Sequence, residues 1–356
     1  MKSKITDDFE LLDKIIAASK EEHPDFPVDG PTYEYFMKFL EDIRSKGLQK
    51  MVSEGSRLLN TIGGVSYSPL QQVEYNITRQ CENGYVNEEE KRILISAAKI
   101  AFEKDHLPLL PYEISFSDLN ESSYNIAKIS GSLVGAGDLR DASVAEELDS
   151  GYNFDIEGRK YNYLHLYYYL RYVFAASKVN FDEIDTYIEI GSGSGRFVEI
   201  IKKLHPHLTV HLFDVGPQLY VAHRYLNAVM PDQLCEFDVK EHQKGMIHFH
   251  PHAEISHFEP TGRVFSCGMM VYCIMPPKTA KAYLDILRSF SEWIYICEPM
   301  GQGGGGTYGI KDPVVKSHYE DFLKPTHDCL LQQEVGRPLA KIQLWDGVGE
   351  MLWRKR

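Results

Sequence analysis

The run DTYIEIGSGSGRFVEI, from Asp185 to Ile200, sets Gly191, Gly193 and Gly195 on alternate positions behind a short apolar stretch, with Glu189 two residues ahead of the first glycine. Glycines so placed can take positive φ and leave the main chain bare, which lets a ligand approach the backbone of the turn. The dinucleotide fingerprint G-x-G-x-x-G is not met, because Arg196 stands where its third glycine belongs. No Gly-Lys-Ser/Thr closes the motif either, which excludes a phosphate-binding P-loop. A glutamate at a strand end is unfavourable beside a pyrophosphate and favourable beside a cation.

A second carboxylate, Asp214, ends the next apolar run, HLFDV. One helix and one strand separate it from the glycines, the position from which two carboxylate oxygens accept from ribose hydroxyls. S-adenosylmethionine matches this pattern, since it carries a sulfonium, an ammonium and a ribose but no phosphate. The expected cofactor contacts are Glu189, Gly191, Ser192, Gly193, Asp214 and Val215, with His250 at the adenine edge. A nicotinamide or nucleotide-sugar enzyme, and a non-catalytic protein that keeps the fold, are the alternatives.

Methyl transfer from a sulfonium is an in-line displacement, for which orientation supplies roughly 7 to 11 kcal/mol. A hydroxyl acceptor also needs a general base, which adds about two to four powers of ten. The candidate bases are His165, Glu298 and His252, with His318 a weaker one. His248, His250 and His252 alternate along a strand-like segment and should share one side of it, which raises the question of a metal. The spacing of metal hydrolases, with a following Asp and His, is missing, and no metal is assigned. Glu298 is followed by GQGGGG, Gly301 to Gly306, read as a lid over the acceptor or as a linker.

These residues need a frame. From Asp185 onward strand-like and helix-like runs alternate: TYIEI, a helix carrying Phe197, Ile200, Ile201 and Leu204, LTVHLFD, a helix from Gly216 to Val229, then MIHFHPH, RVFSCGMMVY and WIYICEP. HDCLLQQEV and KIQLWDGVGEMLWRKR read as a closing pair of strands. Such alternation predicts a doubly wound, mostly parallel sheet with its ligand beyond the strand carboxyl ends. Upstream, residues 1 to about 110 have helical periodicity and no catalytic signature, the pattern of a helical cap or a dimerisation surface. Residues 108–158 read as turn-rich. Tyr161, Leu164, His165, Tyr168, Tyr169 and Tyr172 form an aromatic stripe at helical spacing, more in keeping with core than with a site.

The composition sets the outer limits. A chain of 356 residues exceeds the usual single domain, and hydrophobic content of 43% with 22 Tyr and 17 Phe leaves little room for extended disorder. A net charge of −13 argues against nucleic acid or an anionic membrane as partner and favours a small substrate. The charged N-terminus shows no signal core, and the six scattered cysteines lack a C-x-x-C pair, so the expectation is a cytoplasmic protein with buried free thiols.

The stretch from about Gly151 to Pro277 resembles the bacterial sugar O-methyltransferases whose genes tend to accompany surface-polysaccharide synthesis, within the class I methyltransferase superfamily. The resemblance lies in LHLYYYLRYV, EIGSGSGRF, LFDVGPQLYVAHRYLNAVMP and VYCIMPPKTAKAYLDIL, the Pro-Gln-Leu-Tyr stretch after Asp214 being the more specific part. Ile274 departs from it, standing before Met275 where such proteins often have Glu. The resemblance implies an α/β, Rossmann-like class I methyltransferase domain over 156–356, mostly parallel with helices on both faces. An N-terminal helical region with a turn-rich linker or lid then occupies 1–155. It further implies S-adenosylmethionine as methyl donor and a sugar or nucleotide-sugar acceptor. An amine or carboxylate acceptor is the alternative within the class.

Overall fold

Five consecutive buried residues, Thr186–Ile190, form strand β1, because a strand covered by helices on both faces needs no polar side. The same holds for β2 (Thr209–Asp214), β3 (Ile247–Pro251) and most of β4 (Val264–Met269). Three further strands, β5 (Trp293–Pro299), β6 (His327–Glu334) and β7 (Val348–Lys355), complete a seven-stranded sheet in the order β6-β7-β5-β4-β1-β2-β3. Strands β1 to β5 run parallel, and β7 is antiparallel to both of its neighbours. The chain moves outward one way through β2 and β3 and the other way through β4 and β5. The switch point therefore falls between β1 and β4.

The computed structural model describes residues 5–19, 23–27, 30–53, 77, 81, 87–103, 107–109, 112–114, 116–145, 153–237, 241–299, 314–334 and 348–356. The glycine run Gly301 to Gly306, read as a lid or linker, lies outside them. The described helices are α1 (Phe9–Ala18), α2 (Gly30–Lys46), α3 (Leu48–Ser53), α4 (Glu88–Glu103), α5 (Phe116–Val134), α6 (Tyr163–Ala176), α7 (Arg196–Leu204), α8 (Gly216–Val229), α9 (Pro277–Phe290) and α10 (Lys316–Leu323). None of them is long and apolar enough to cross a membrane.

Strand alternation divides the core in two. Tyr187, Leu212, Phe249, Phe265 and Tyr295 face one cluster with residues of α6, α7 and α8. Ile188, Ile190, Phe213, Ile294 and Ile296 face the other, with residues of α9 and α10. One ion pair is sealed inside: Arg171 Nε on α6 lies 2.8 Å from Glu350 Oε2 on β7, both side chains buried. Glu350 also accepts from the Tyr295 hydroxyl and the Gln333 amide, each at 2.8 Å, so its burial is compensated.

Three expectations change here. Much of the turn-rich reading of 108–158 gives way to the helix α5 and to a hairpin pairing Phe154–Ile156 with Arg159–Tyr161. In α5 the buried Ser123, Tyr124 and Ala127 fall on one helical face, and Gly131 lies where a Cβ would sit 2.2 Å from the Tyr169 hydroxyl of α6. Packing of that face outweighs the weak helix propensity of the Ser and Asn residues around it. Tyr161 belongs to the hairpin rather than to the aromatic helix, which starts at Tyr163 with the Asn162 side chain accepting from the His165 N–H at 2.9 Å. Of the thiols, Cys235, Cys267, Cys273 and Cys297 are buried, whereas Cys81 is half-buried and Cys329 exposed on the outermost strand β6.

Candidate active site

The glycine turn leaves β1 at the switch point, and Gly191, Gly193 and Gly195 have φ of +73°, +56° and +80°. All three lie in the left-handed region that favours glycine. At Gly191 a Cβ would stand 2.5 Å from Val271 Cγ2, and at Gly195, which precedes α7, 2.8 Å from Leu226 Cδ1. Conformation and crowding each require glycine at these two positions.

Asp214 ends β2 and reaches back to this turn. Its Oδ2 accepts from the Gly193 N–H at 3.1 Å and the Ser192 hydroxyl at 3.2 Å, and its Oδ1 from the Val215 N–H at 2.8 Å. Burial pushes its pKa up to about 7, against the opposing pull of these donors. Glu189 lies behind the turn, one residue before the strand end, accepting from the Tyr187 hydroxyl at 2.9 Å. Burial raises it to about 8; the Tyr187 bond works against that rise, and the nearby Asp214 adds to it. Two adjacent buried carboxyls beside a bare turn disfavour phosphate and favour a cation or hydroxyl donors.

The other strand ends complete the rim. After β4 the chain turns through Met270, a non-glycine residue with φ +55°. Glu298 on β5 holds this turn: its Oε1 accepts from the Val271 and Tyr272 N–H groups at 2.8 and 2.9 Å, and its Oε2 from the Cys273 N–H at 3.3 Å. The side chain is fully buried, and that burial raises its pKa to about 7. Gln218, in the Pro-Gln-Leu-Tyr stretch at the start of α8, donates to the Gly193 carbonyl. Sequence reasoning gave Gln218 no role. Its position two residues into a helix that follows the Asp214 strand was the available signal.

The N-terminal segment lies over this rim. The Asp8 N–H donates to the Tyr220 hydroxyl at 2.9 Å, and Arg224 donates to the Thr6 carbonyl and hydroxyl at 2.7 and 2.6 Å, so α1 is fastened along α8. Ile16 approaches Gly216 closely enough that a Cβ there would sit 2.8 Å from its Cδ1. Phe26 packs against Tyr283 of α9 with ring centroids 4.4 Å apart and the rings tilted by 47°, and its carbonyl meets His252 Nε2 at 3.2 Å.

The candidate bases are dispersed. His252 follows β3 directly, with its Nε2 on the Phe26 carbonyl; burial lowers its pKa, that carbonyl opposing, and Nδ1 has no hydrogen-bond partner among the described residues. His165 lies inside α6, its Nε2 on the Ala142 carbonyl, and burial holds it down at about 4. It is placed as a core histidine, without a partner from the strand ends. His318 opens α10, where its Nδ1 accepts from the Val315 N–H at 3.1 Å.

The histidine row is shorter than its spacing suggested. His248 and His250 share one face of β3, but β3 ends at Pro251 and His252 turns away into a short 3-10 helix. Instead, His211 of β2 and His242 of the loop before β3 join His250. His250 Nε2 stands 3.0 Å from His211 Nδ1, and its Nδ1 lies 3.1 Å from Glu254 Oε2. Burial and the neighbouring imidazoles lower the pKa values of His211 and His242.

Strand order, switch point and glycine turn together define the architecture. The fold is Rossmann-like. Similar solved structures include PigF with SAH, at 10% identity over 86% of this chain and 98% of that one, with a TM-score of 0.38. Magnesium protoporphyrin IX methyltransferase (ChlM) from Synechocystis PCC 6803 with bound SAM is 10% identical over 49% of this chain and 71% of that one, TM-score 0.35. N-methyltransferase NodS from Bradyrhizobium japonicum WM9 is 14% identical over 48% and 86%, TM-score 0.34. No protein-family model matches the chain, and no curated protein matches it significantly.

Proposed function

We propose that this protein is a methyltransferase that uses S-adenosylmethionine and transfers its methyl group to a hydroxyl of a sugar or nucleotide-linked sugar. The observation that carries the reading is the convergence of two buried carboxyls, Glu189 and Asp214, on a glycine turn at the switch point of a Rossmann-like sheet. The acids favour a cationic ligand without phosphate.

The donor, when bound, supplies an electrophilic methyl; the rest falls to this chain's residues. Gly191, Ser192 and Gly193 line the turn, Asp214 and Val215 end β2 and begin the link to α8, and His250 lies on the β3 side. Asp214 is suited to accept from ribose hydroxyls by exchanging its present loop donors for them. Glu189, held largely protonated by its burial, would supply negative charge behind the turn once a bound cation favours its ionised form. Phe26 and the α1 segment cover the rim and exclude water, which strengthens each of these interactions.

Among the three candidate bases the geometry favours His252. Its ring lies at the strand ends, and its lowered pKa keeps it neutral and able to take a proton from an acceptor hydroxyl. Glu298 is committed to three backbone N–H groups and serves best as an anchor for the turn at Val271. The sugar acceptor rests on the sequence resemblance; an amine or carboxylate acceptor is the alternative. For assembly we propose a homodimer through the N-terminal helices, supported by Ile126, Ile129 and Leu133, which expose an apolar face of α5.

Titration calorimetry with S-adenosylhomocysteine tests the cofactor assignment. Binding that is lost in Asp214→Ala is the expected result. Unchanged affinity in the variant, or heat protection by NAD in place of S-adenosylhomocysteine, overturns it.

A further inference from the structure

Three imidazoles from separate stretches of chain meet on the sheet face of β2 and β3: His211 from β2, His250 from β3, and His242 from the connection that precedes β3. One nitrogen from each lies within 4.8 Å of the other two. Ligands at about 2.0–2.1 Å in a tetrahedron stand about 3.3–3.4 Å apart. The His211–His250 pair, at 3.0 Å, is already close to that spacing. His242 is exposed and belongs to a loop, so it can close the remaining distance.

The surroundings orient the pair. His250 Nδ1 lies 3.1 Å from Glu254 Oε2, so the Nδ1 proton is directed to that carboxylate and the Nε2 lone pair toward His211. A carboxylate behind a histidine in this way fixes the tautomer of metal-ligating imidazoles and raises their basicity. Phe258, with its ring centroid 4.6 Å from that of His211, and the stacked His248, at 4.9 Å, wall the group. His248 stands outside the donor set, because its Nε2 is bonded to the Gln243 carbonyl at 3.0 Å.

We propose that His211, His242 and His250 form a binding site for a divalent late first-row transition ion of the zinc class, with Glu254 as the positioning residue behind His250. Imidazole donors select such ions over Mg2+ and Ca2+, which require oxygen ligands. Binding replaces the His211–His250 hydrogen bond: the proton on His211 Nδ1 moves to Nε2, both rings stay neutral, and a fourth position is left for water. The ion ties the loop at His242 to β2 and β3. None of the three histidines holds the glycine turn, and His250 alone is shared with the methyl-transfer reading, as the residue at the adenine edge.

The test uses the full-length protein, stripped with chelator and titrated with Zn2+ against a chromophoric competitor, and with Co2+ followed by its visible spectrum. One ion per chain, a tetrahedral Co2+ spectrum and a rise in Tm are expected. His242→Ala, an exposed position, should abolish stoichiometric binding. Glu254→Gln should weaken it by about 10- to 100-fold, and His257→Ala, an exposed histidine on the same 3-10 helix outside the donor set, should leave it unchanged. No stoichiometric binding, undiminished binding in His242→Ala, or equal losses in His242→Ala and His257→Ala overturns the proposal. S-adenosylhomocysteine affinity, measured alongside, separates failure of this site from failure of the proposed cofactor pocket.

Discussion

Asp214 Oδ2 accepts the backbone N–H of Gly193 at 3.1 Å, so the carboxyl that ends β2 holds the turn that follows β1. Replacing Asp214 by Asn puts an amide N–H2 where part of this acceptor stood, and leaves loop donors facing a donor. The expected result is a loss of S-adenosylhomocysteine affinity of at least about tenfold, with a stability loss of about 1–3 kcal/mol, measured by calorimetry and denaturant unfolding.

Proton linkage gives a second expectation. Asp214 and Glu189 have folded pKa values of about 7 and about 8, raised by burial above the ordinary carboxyl range. Their contribution to stability is full below the unfolded values near 4 and is lost as pH rises through 7 to 8. Against Asp214→Asn and Glu189→Gln, the ligand-free protein should therefore lose ground from about pH 4 to 8 and level off above that. A cation that binds the ionised acids should bind more tightly across the same window, by up to about tenfold per pH unit for each group. Thermal unfolding and calorimetry at several pH values check both signs.

Glu298→Gln distinguishes an anchor from a base. The amide offers one acceptor oxygen to three backbone N–H groups and turns an N–H2 toward one of them. For an anchor, Tm and cofactor affinity fall together. Retained Tm and affinity with lost turnover would instead mark Glu298 as the base and displace His252.

The buried pair of Arg171 and Glu350 predicts asymmetry between single and double variants. Arg171→Met strands the Glu350 carboxyl and should cost about 3–5 kcal/mol, whereas adding Glu350→Leu should restore most of it. A double-variant cycle by urea unfolding measures this. Equal destabilisation by single and double variants would show that packing, not charge, dominates there.

On α5, Ile129→Glu with Leu133→Glu replaces exposed apolar side chains by charges. If this face joins two copies, light scattering should show a dimer for the natural chain and a monomer for the variant, with Tm little changed.

Much of the frame was legible along the chain. TYIEI and LTVHLFD read as strands because short runs rich in β-branched and aromatic residues, bounded by glycine or a charged turn, suit a sheet covered on both faces. The glycine triplet and the two carboxyls could be placed in advance because each depends on its own neighbours: a turn directly after a strand, an acid at a strand end. Helix α5 was not legible, since its Ser, Asn and Gly residues blur the helical signal and Gly131 makes sense only against the Tyr169 side chain of α6.

The roles of side chains were decided at longer range. Glu298 meets the Val271 N–H only because β5 lies beside that turn, and His165 meets the Ala142 carbonyl only because that loop folds onto α6. The trio of His211, His242 and His250 arises from parallel pairing of β2 with β3 and from a loop that returns over them. Spacing along the chain encodes periodicity and turns, which are local. Which imidazole meets a carbonyl, a carboxylate or another imidazole is set by strand order and helix packing, and those emerge only when distant segments share one core.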